Sequence, residues 1–381
     1  MGKRRIFIIS ERRADYARFK PILELLRKDP FFEYQLVVTG ISLLKRHGED
    51  INVIRQDGFE ITAVVPMFED EAPDTGAEMV RALARVCRGL TDEIERLKPD
   101  LILAGFDIGA NFAAAVAGAH MNIPVAHIQG GEVTGSIDES LRHAMTKFAH
   151  IHFPANQAAA ARLIRMGEDP RFIFPVGCPS LDVVLETPPV PREALAAEFG
   201  LDFSRPYVVI LQHAVTTEHG SAGQQIVETL EAVRDLKLQA ILIYPNNDAG
   251  HKAIIDYVRD SQIHHIPSLP VEKYVNLVRY AGALVGNSSS GIHETASLHV
   301  PTVNVGTRQA GRERPRNVID VGYSRHEIRA AIRMALEDET FKKVVRTCTN
   351  PYGDGHAAER IVKVLRELDL AAVPIQKIFK D

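Results

Sequence analysis

Along the chain, short and wholly apolar runs alternate with longer stretches in which apolar residues recur every three or four positions. A run such as Leu101-Ile-Leu-Ala104 has no polar side, so it suits a strand buried on both faces. The three-to-four-residue repeat suits a helix with one buried stripe. On this reading the first half holds strands at 5–10, 33–39, 59–65, 99–104, 124–128, 150–154 and 172–176. Helices are predicted between them at 16–28, 43–57, 77–97, 110–120 and 137–148. Strands that alternate with helices at this spacing predict parallel βαβ units with helices on both faces of the sheet.

The segment Glu186-Thr-Pro-Pro-Val-Pro191 interrupts the pattern, because three closely spaced prolines continue neither a helix nor a central strand. Beyond it the alternation restarts. Strands are expected at 207–212, 240–244, 264–266, 283–285, 302–305 and 318–321. Helices are expected at 224–236, 254–260, 271–280 and 292–298, with more up to about 368. The prediction is two doubly wound, Rossmann-like α/β domains at 1–185 and 186–368, a cleft between them, and a tail at 369–381.

Composition changes this picture little. The 381 residues are 45% hydrophobic and 25% charged, which is ordinary for a globular chain and long for a single core. A net charge of −4 with dispersed Lys and Arg gives no footprint for nucleic acid or an anionic membrane. Cys87, Cys178 and Cys348 are odd in number and widely separated, so they predict neither a disulfide framework nor a metal pair. Cys178 reads as a small buried residue. The first apolar run, Ile6-Phe-Ile-Ile9, is too short for a signal core or a membrane span, so a cytoplasmic protein is expected.

The chemistry gathers at strand ends. Leu284-Val-Gly-Asn-Ser-Ser-Ser-Gly-Ile-His-Glu294 reads as strand, turn and helix start, and Pro301-Thr-Val-Asn-Val-Gly-Thr-Arg308 as the next strand and its end. Hydroxyls of Ser288, Ser289 and Ser290 and the fork of Arg308 suit a nucleotide diphosphate, and Glu294 suits a ribose diol. A capped helix beside a surface arginine explains the same residues, and both readings stay open here. In the first half, Asp107 follows one strand and Glu132 and Asp138 the next, so all three meet at one mouth of the sheet. Carboxylates gathered in this way raise one another's pKa and supply an acid and a base. His213 comes from the other domain. Taken singly, Asp138 also reads as a helix cap or an ion pair with Arg142, and His127 and His150 as core histidines. No His-x-x-x-His pair, Walker loop or dinucleotide fingerprint is present, so neither a metal nor a redox cofactor is expected.

Arg13-Ala-Asp-Tyr16, the run His127 to His143, Gln212-His213, Asn246 to Gly250, Gly286-Asn-Ser-Ser-Ser-Gly291 and Gly306-Thr-Arg-Gln309 together resemble the hydrolysing nucleotide-sugar 2-epimerases. The similarity is greatest to the branch that feeds sialic and legionaminic acid synthesis, and it runs from about residue 5 to about residue 364. The resemblance implies the GT-B architecture and no cofactor. It implies a UDP-linked 2-acetamido gluco sugar as substrate, UDP-GlcNAc in the first instance, and release of UDP and the free manno sugar through a 2-acetamidoglycal. By position it implies catalytic roles for Asp107, Glu132, Asp138, Arg142 and His213. Arg13, Asn246, Ser288, Ser289, Ser290, Glu294 and Arg308 become substrate or nucleotide ligands, and a homodimer or homotetramer is expected.

The pattern departs from the family in four places. Phe106-Asp-Ile-Gly-Ala110 stands where Gly-Asp-Arg-x-Glu is usual, and Gln129 stands for a histidine. Glu11-Arg-Arg13 replaces Gly-Thr-Arg, and Ala214 follows His213 in place of proline. These changes bring in a 2,4-diacetamido-6-deoxy sugar or a GDP-linked sugar as alternative substrates, unless Arg12 or Arg18 replaces the lost charge. A GT-B glycosyltransferase and a catalytically dead sensor are the alternatives of another class.

Overall fold

Two parallel six-stranded sheets form the molecule. The computed structural model describes residues 2–69, 72–106 and 109–380. The first sheet holds β1 (Arg4–Ser10), β2 (Phe32–Thr39), β3 (Ala63–Val65), β4 (Leu101–Gly105), β5 (Val125–Ile128) and β6 (Ile151–Phe153), in the order β3-β2-β1-β4-β5-β6. The second holds β7 (Tyr207–Leu211), β8 (Gln239–Ile243), β9 (His264–Ile266), β10 (Ala283–Gly286), β11 (Thr302–Val305) and β12 (Val318–Val321), in the order β12-β11-β10-β7-β8-β9. The two orders are the same when each sheet is numbered from its own first strand. This is the expected pair of Rossmann-like domains of the GT-B type.

Burial on both faces explains the apolar runs. In β1, Ile6 and Ile8 enter one core with Phe19, Ile22 and Leu23 of the helix Arg13–Lys28, while Phe7 and Ile9 enter a core on the opposite face. In β7, Val208 and Ile210 face one layer, and Tyr207, Val209 and Leu211 the other. Each fully buried side chain of this size stabilises by about 1.5–3 kcal/mol before conformational entropy is counted.

Four expected elements differ. The helix at 43–57 is two 3-10 turns, Gly40–Leu43 and Lys45–His47, and a short helix Ile51–Gln56. Gly48 at φ 95° and Glu49 at φ 46° are left-handed, which stops a continuous helix. The strand at 59–65 pairs only over Ala63–Val65, because Phe59 turns into the core against Tyr16 and Tyr34. The segment 172–176 makes a single bridge to His152; Phe174 and Val176 donate to the carbonyls of His152 and Pro154, but Pro154 has no N–H to return a bond and extend the ladder. The helix at 292–298 is regular only over Ser290–His293. The Thr295 hydroxyl donates to the Gly291 carbonyl at 2.8 Å, competing for the acceptor that a longer helix would use. Helices at Gln157–Arg165, Ser180–Glu186 and Arg192–Phe199 fall outside the predicted set. Among the described residues no helix is long and apolar enough to cross a membrane.

The chain then crosses back. The helix Ala357–Glu367 buries Ala358, Ile361 and Leu365 in the core of the first sheet, although it follows the second. Asp182 accepts hydrogen bonds from the backbone N–H groups of Ala357 and Ala358, at 3.0 and 2.6 Å, and so caps that helix from a distance. Beyond it the tail is strapped to the first domain. Lys377 Nζ donates to the Thr146 carbonyl at 2.9 Å and pairs with Glu168 at 2.5 Å. Glu168 is 1% exposed and also receives Lys147 at 2.6 Å and His152 at 3.0 Å.

Burial opposes ionisation of Glu168, but His152 and the two lysines more than offset it and bring its pKa from 4.5 down to about 2. Since the folded value is depressed, the stabilisation is present above pH 4.5 and fades as the pH falls towards 2. Glu168→Gln is therefore expected to cost about 2–3 kcal/mol at neutral pH, less than a fully buried pair because Lys147 is partly in water. Thermal unfolding checks this. The gap in Tm between native protein and variant should narrow as the pH is lowered from about 5 to about 3, and a constant gap would contradict it.

Candidate active site

In each sheet the winding reverses between its first and fourth strands, β1 and β4 in one and β7 and β10 in the other. At such a switch point the loops part at the carboxyl ends and leave a crevice. The two crevices face each other and form one cleft of about 1200 Å³. Arg13, Glu132, Asp138, Arg142, His213, Asn246, Ser288, Ser289, Ser290, Glu294 and Arg308 all line it. Asp107 lies outside the described residues. The cleft is also lined by Arg12 and Arg18, the two arginines named as replacements for the lost charge, and by Tyr274, His293 and Arg312, which the sequence did not single out.

The wall built by the second sheet is organised by Asn287, which is fully buried at the end of β10. Its side chain accepts from His213 N–H at 2.7 Å and donates to the His213 carbonyl at 2.9 Å. Its own carbonyl accepts from Arg308 at 3.3 Å and Gln309 at 2.8 Å. The ends of β7, β10 and β11 are thereby fixed to one another. His213 Nδ1 accepts the backbone N–H of Asn246 at 3.0 Å, which leaves its proton on Nε2. Burial, and then the charges of Arg308, Arg12 and Arg13, push the His213 pKa well below its ordinary value. At neutral pH this histidine is uncharged and donates through Nε2.

The three serines separate in role. Ser290 Oγ donates to Glu294 at 2.6 Å and meets the Tyr274 hydroxyl at 2.5 Å, so it is tied to the carboxylate. Ser289 Oγ accepts from Arg18 at 3.4 Å. The helix they precede is a single turn, so hydroxyls and guanidinium groups outweigh its dipole as anion donors. Arg18 also stacks over Phe106, 4.7 Å from the ring centre.

The carboxylates come from the first sheet. Glu132 follows β5 and is nearly buried. Gln129 donates to its Oε1 at 2.9 Å, while His293 Nε2 and Arg312 Nη1 both lie 3.1 Å from its Oε2. Arg142, which is 1% exposed, donates to the Glu132 backbone carbonyl at 3.0 Å. Burial alone would raise the Glu132 pKa, but His293 and Arg312 reverse the sign and hold it well below the carboxylate range. Asp138, at the start of the helix Asp138–Phe148, pairs with Arg308 across the cleft at 3.5 Å. Glu11 accepts the backbone N–H of Ala110 at 2.8 Å, and burial raises its pKa against the pull of Arg12. His127 is a core histidine as expected, with Nε2 at 2.9 Å from the Phe106 carbonyl. Cys178 is fully buried, and burial pushes its thiol up to about 11.

One wall thus offers arginines and hydroxyls for an anion and the other offers carboxylates for acid–base work, so the cleft suits a phosphorylated substrate with a C–H or C–O bond to break.

Comparison with known proteins agrees with this geometry. A profile of the family described as UDP-N-acetylglucosamine 2-epimerase matches residues 24–366. The chain is 34% identical to the UDP-N,N'-diacetylbacillosamine 2-epimerase (hydrolyzing) of Legionella pneumophila, over 98% of both chains. It is 33% identical to a UDP-N-acetylglucosamine 2-epimerase of Neisseria meningitidis, over 99% of both. Among solved structures, a UDP-GlcNAc 2-epimerase from Neisseria meningitidis bound to UDP-GlcNAc superposes with a TM-score of 0.81 at 19% identity, over 96% of this chain and all of that one.

Gly135 lets the loop carrying Arg308 approach the first domain closely. Its N–H donates to the Arg308 carbonyl at 3.0 Å, and a Cβ there would run into the Thr307 carbonyl oxygen. Gly135→Ala is expected to push the loop carrying Arg308 outward and weaken binding of a diphosphate anion in the cleft about tenfold, with little change in Tm. Calorimetric titration with inorganic pyrophosphate checks it, and unchanged affinity would show that the loop yields without cost.

Proposed function

The chain belongs to the UDP-N-acetylglucosamine 2-epimerase family, and from that premise we propose that it is a hydrolysing 2-epimerase of a UDP-linked 2-acetamido gluco sugar. The observation that carries this reading is the opposition, in one cleft, of Glu132 and Asp138 to Arg308, Ser288 and Ser289. UDP-GlcNAc is the substrate of first choice. Arg13, Arg308, Ser288 and Ser289 hold the diphosphate, Glu294 takes the ribose diol, and Asn246 lies beside the nucleotide. A cleft carboxylate removes the C2 proton while the C1–O bond breaks, so that UDP leaves with the bonding electrons and a 2-acetamidoglycal remains. Water then gives its hydroxyl to C1, a proton reaches C2 from the opposite face, and the free manno sugar is released. Neutral His213 donates through Nε2 to the substrate, and the guanidinium groups meet charge that grows on the leaving diphosphate. The relative from Legionella pneumophila, described as hydrolyzing, supports release of free sugar over return of a nucleotide sugar.

A second reading concerns only the sugar. Phe106, Val183 and Val184 put apolar surface into the cleft. That surface, with the diacetylbacillosamine specificity in the name of the same relative, favours a 2,4-diacetamido-6-deoxy gluco sugar. Methyl and acetamido groups at C6 and C4 gain from apolar contact where a hydroxymethyl gains less.

Proton NMR in D2O with UDP-GlcNAc and, in parallel, UDP-2,4-diacetamido-2,4,6-trideoxyglucose tests both. Release of UDP and a free manno sugar deuterated at C2 is expected, with the faster substrate identifying the sugar. Accumulation of a UDP-linked manno sugar would replace the hydrolysing reading with a non-hydrolysing one. Binding of UDP with no turnover of either sugar would overturn the epimerase reading.

A further inference from the structure

Glu132 is a carboxylate of the first domain whose side-chain partners at Oε2 belong to the second. His293 comes from the single helical turn after β10, and Arg312 from the loop after β11. The side chains of Glu132 and Arg312 are each 5% exposed and that of His293 is 1% exposed, so water screens none of them appreciably. Gln129 fills Oε1 from the other side. With both oxygens occupied, the plane of the carboxylate is fixed.

The three groups are not equivalent. A neutral imidazole Nε2 either donates or accepts, yet His293 Nε2 lies 3.1 Å from Glu132 Oε2 and 2.6 Å from Arg312 Nη1. Only Arg312, with several N–H groups, can donate to both neighbours at once. Arg312 is therefore the hub. His293 fills the space beside it, edge-on to Tyr352 at 4.4 Å between ring centres, and the Asn350 side chain donates to its carbonyl at 2.7 Å. Burial holds its pKa near 4, against the pull of Glu132. The other titratable or charged groups around the trio are Arg142, Arg18, Cys178 and Tyr352. Arg142 favours the anion at Glu132.

We propose that Arg312 and His293 are positioning residues that fix Glu132 as an oriented anion when the two domains meet. As a statement about the reaction, this rests on the epimerase reading given above. A carboxylate so held is a weak proton acceptor and a strong counter-charge. It suits the side of the sugar where C1 turns electron-poor as UDP departs, and it leaves proton removal to another carboxylate of the cleft. The contact also ties chemistry to closure, because an open cleft takes Arg312 and His293 away and lets the Glu132 pKa rise towards its ordinary 4.5 or above.

Arg312→Gln, Arg312→Lys and His293→Asn in the full chain test this with two readouts. In the first, the acid limb of kcat/KM for UDP-GlcNAc is expected to move up by about one pH unit or more in Arg312→Gln. There kcat falls about 100-fold with KM little changed, and Arg312→Lys recovers most of the loss. The second needs no turnover. It is a carbon NMR titration of protein labelled at glutamate carboxyls, with the Glu132 signal assigned by its disappearance in Glu132→Gln. That signal should stay flat above about pH 4 in native protein and titrate at higher pH in Arg312→Gln. Identical titration of Glu132 in the two proteins would overturn the proposal, and His293→Asn and Arg312→Lys decide it if Arg312→Gln does not fold. If native protein turns over neither UDP sugar while the Glu132 titration still moves, the positioning stands and the epimerase reading fails.

Discussion

A parallel strand delivers its carboxyl end, and the loop after it, to one edge of its sheet, and the chain uses that constraint twice. Both sheets reverse their winding next to their first strand, so both open a crevice at the same kind of place. Setting the crevices face to face yields a cleft whose two walls are independent in sequence. The loops after β1, β4 and β5 bring Arg12, Arg13, Phe106 and Glu132, while those after β7, β10 and β11 bring His213, the serines, Arg308 and Arg312. Neither wall has the full chemistry, so whatever sets the distance between them sets what the cleft can do.

Several contacts set that distance, and most are charged. Arg308 meets Asp138, Arg312 meets Glu132, and Lys20 bridges Asp57 and Glu272 at 3.0 and 2.6 Å. Asp74 in the first domain accepts from the backbone N–H groups of Gly250 and Lys252, both at 3.0 Å, and so caps the helix His251–Asp260 of the second. Buried charge left without a partner costs far more than a paired one gains. The closed cleft is therefore sharply defined. A diphosphate entering beside Arg308 would replace one anion with another and leave Asp138 its charge and more freedom.

The sheets were legible because every central strand is buried on both faces and reads as an uninterrupted apolar run. What sequence reasoning misplaced was local: the left-handed Gly48, the carbonyl taken by Thr295, and Pro154, which has no N–H to carry the pairing beyond β6. The cleft residues were legible through the strand-end rule, which fixes a residue's neighbourhood without its partners. His293 lay unremarked beside Glu294, and Arg312 four residues beyond Arg308 in the same loop. Their significance comes from Glu132, some 160 residues earlier in the chain, and no periodicity records a contact across two domains. Ser290 shows the converse, a residue correctly placed in the cleft but bonded to Glu294 and Tyr274.

The departures at 106–110 acquire a physical meaning in this setting. Where the resemblance leads one to expect an arginine and a glutamate, the chain has Ile108 and Ala110. Yet a carboxylate and a guanidinium stand close by, both supplied from the other side of the switch point. Glu11, in the loop after β1, bonds the Ala110 N–H, and Arg18, on the helix that follows, lies over Phe106. A carboxyl group and a guanidinium are thus kept beside the end of β4 while their attachment to the backbone has moved. A sensor that had lost its chemistry would have no need to retain Glu132 and Asp138 in a buried, costly ionic setting. The replacement leaves intact the opposition of carboxylates and arginines across the cleft.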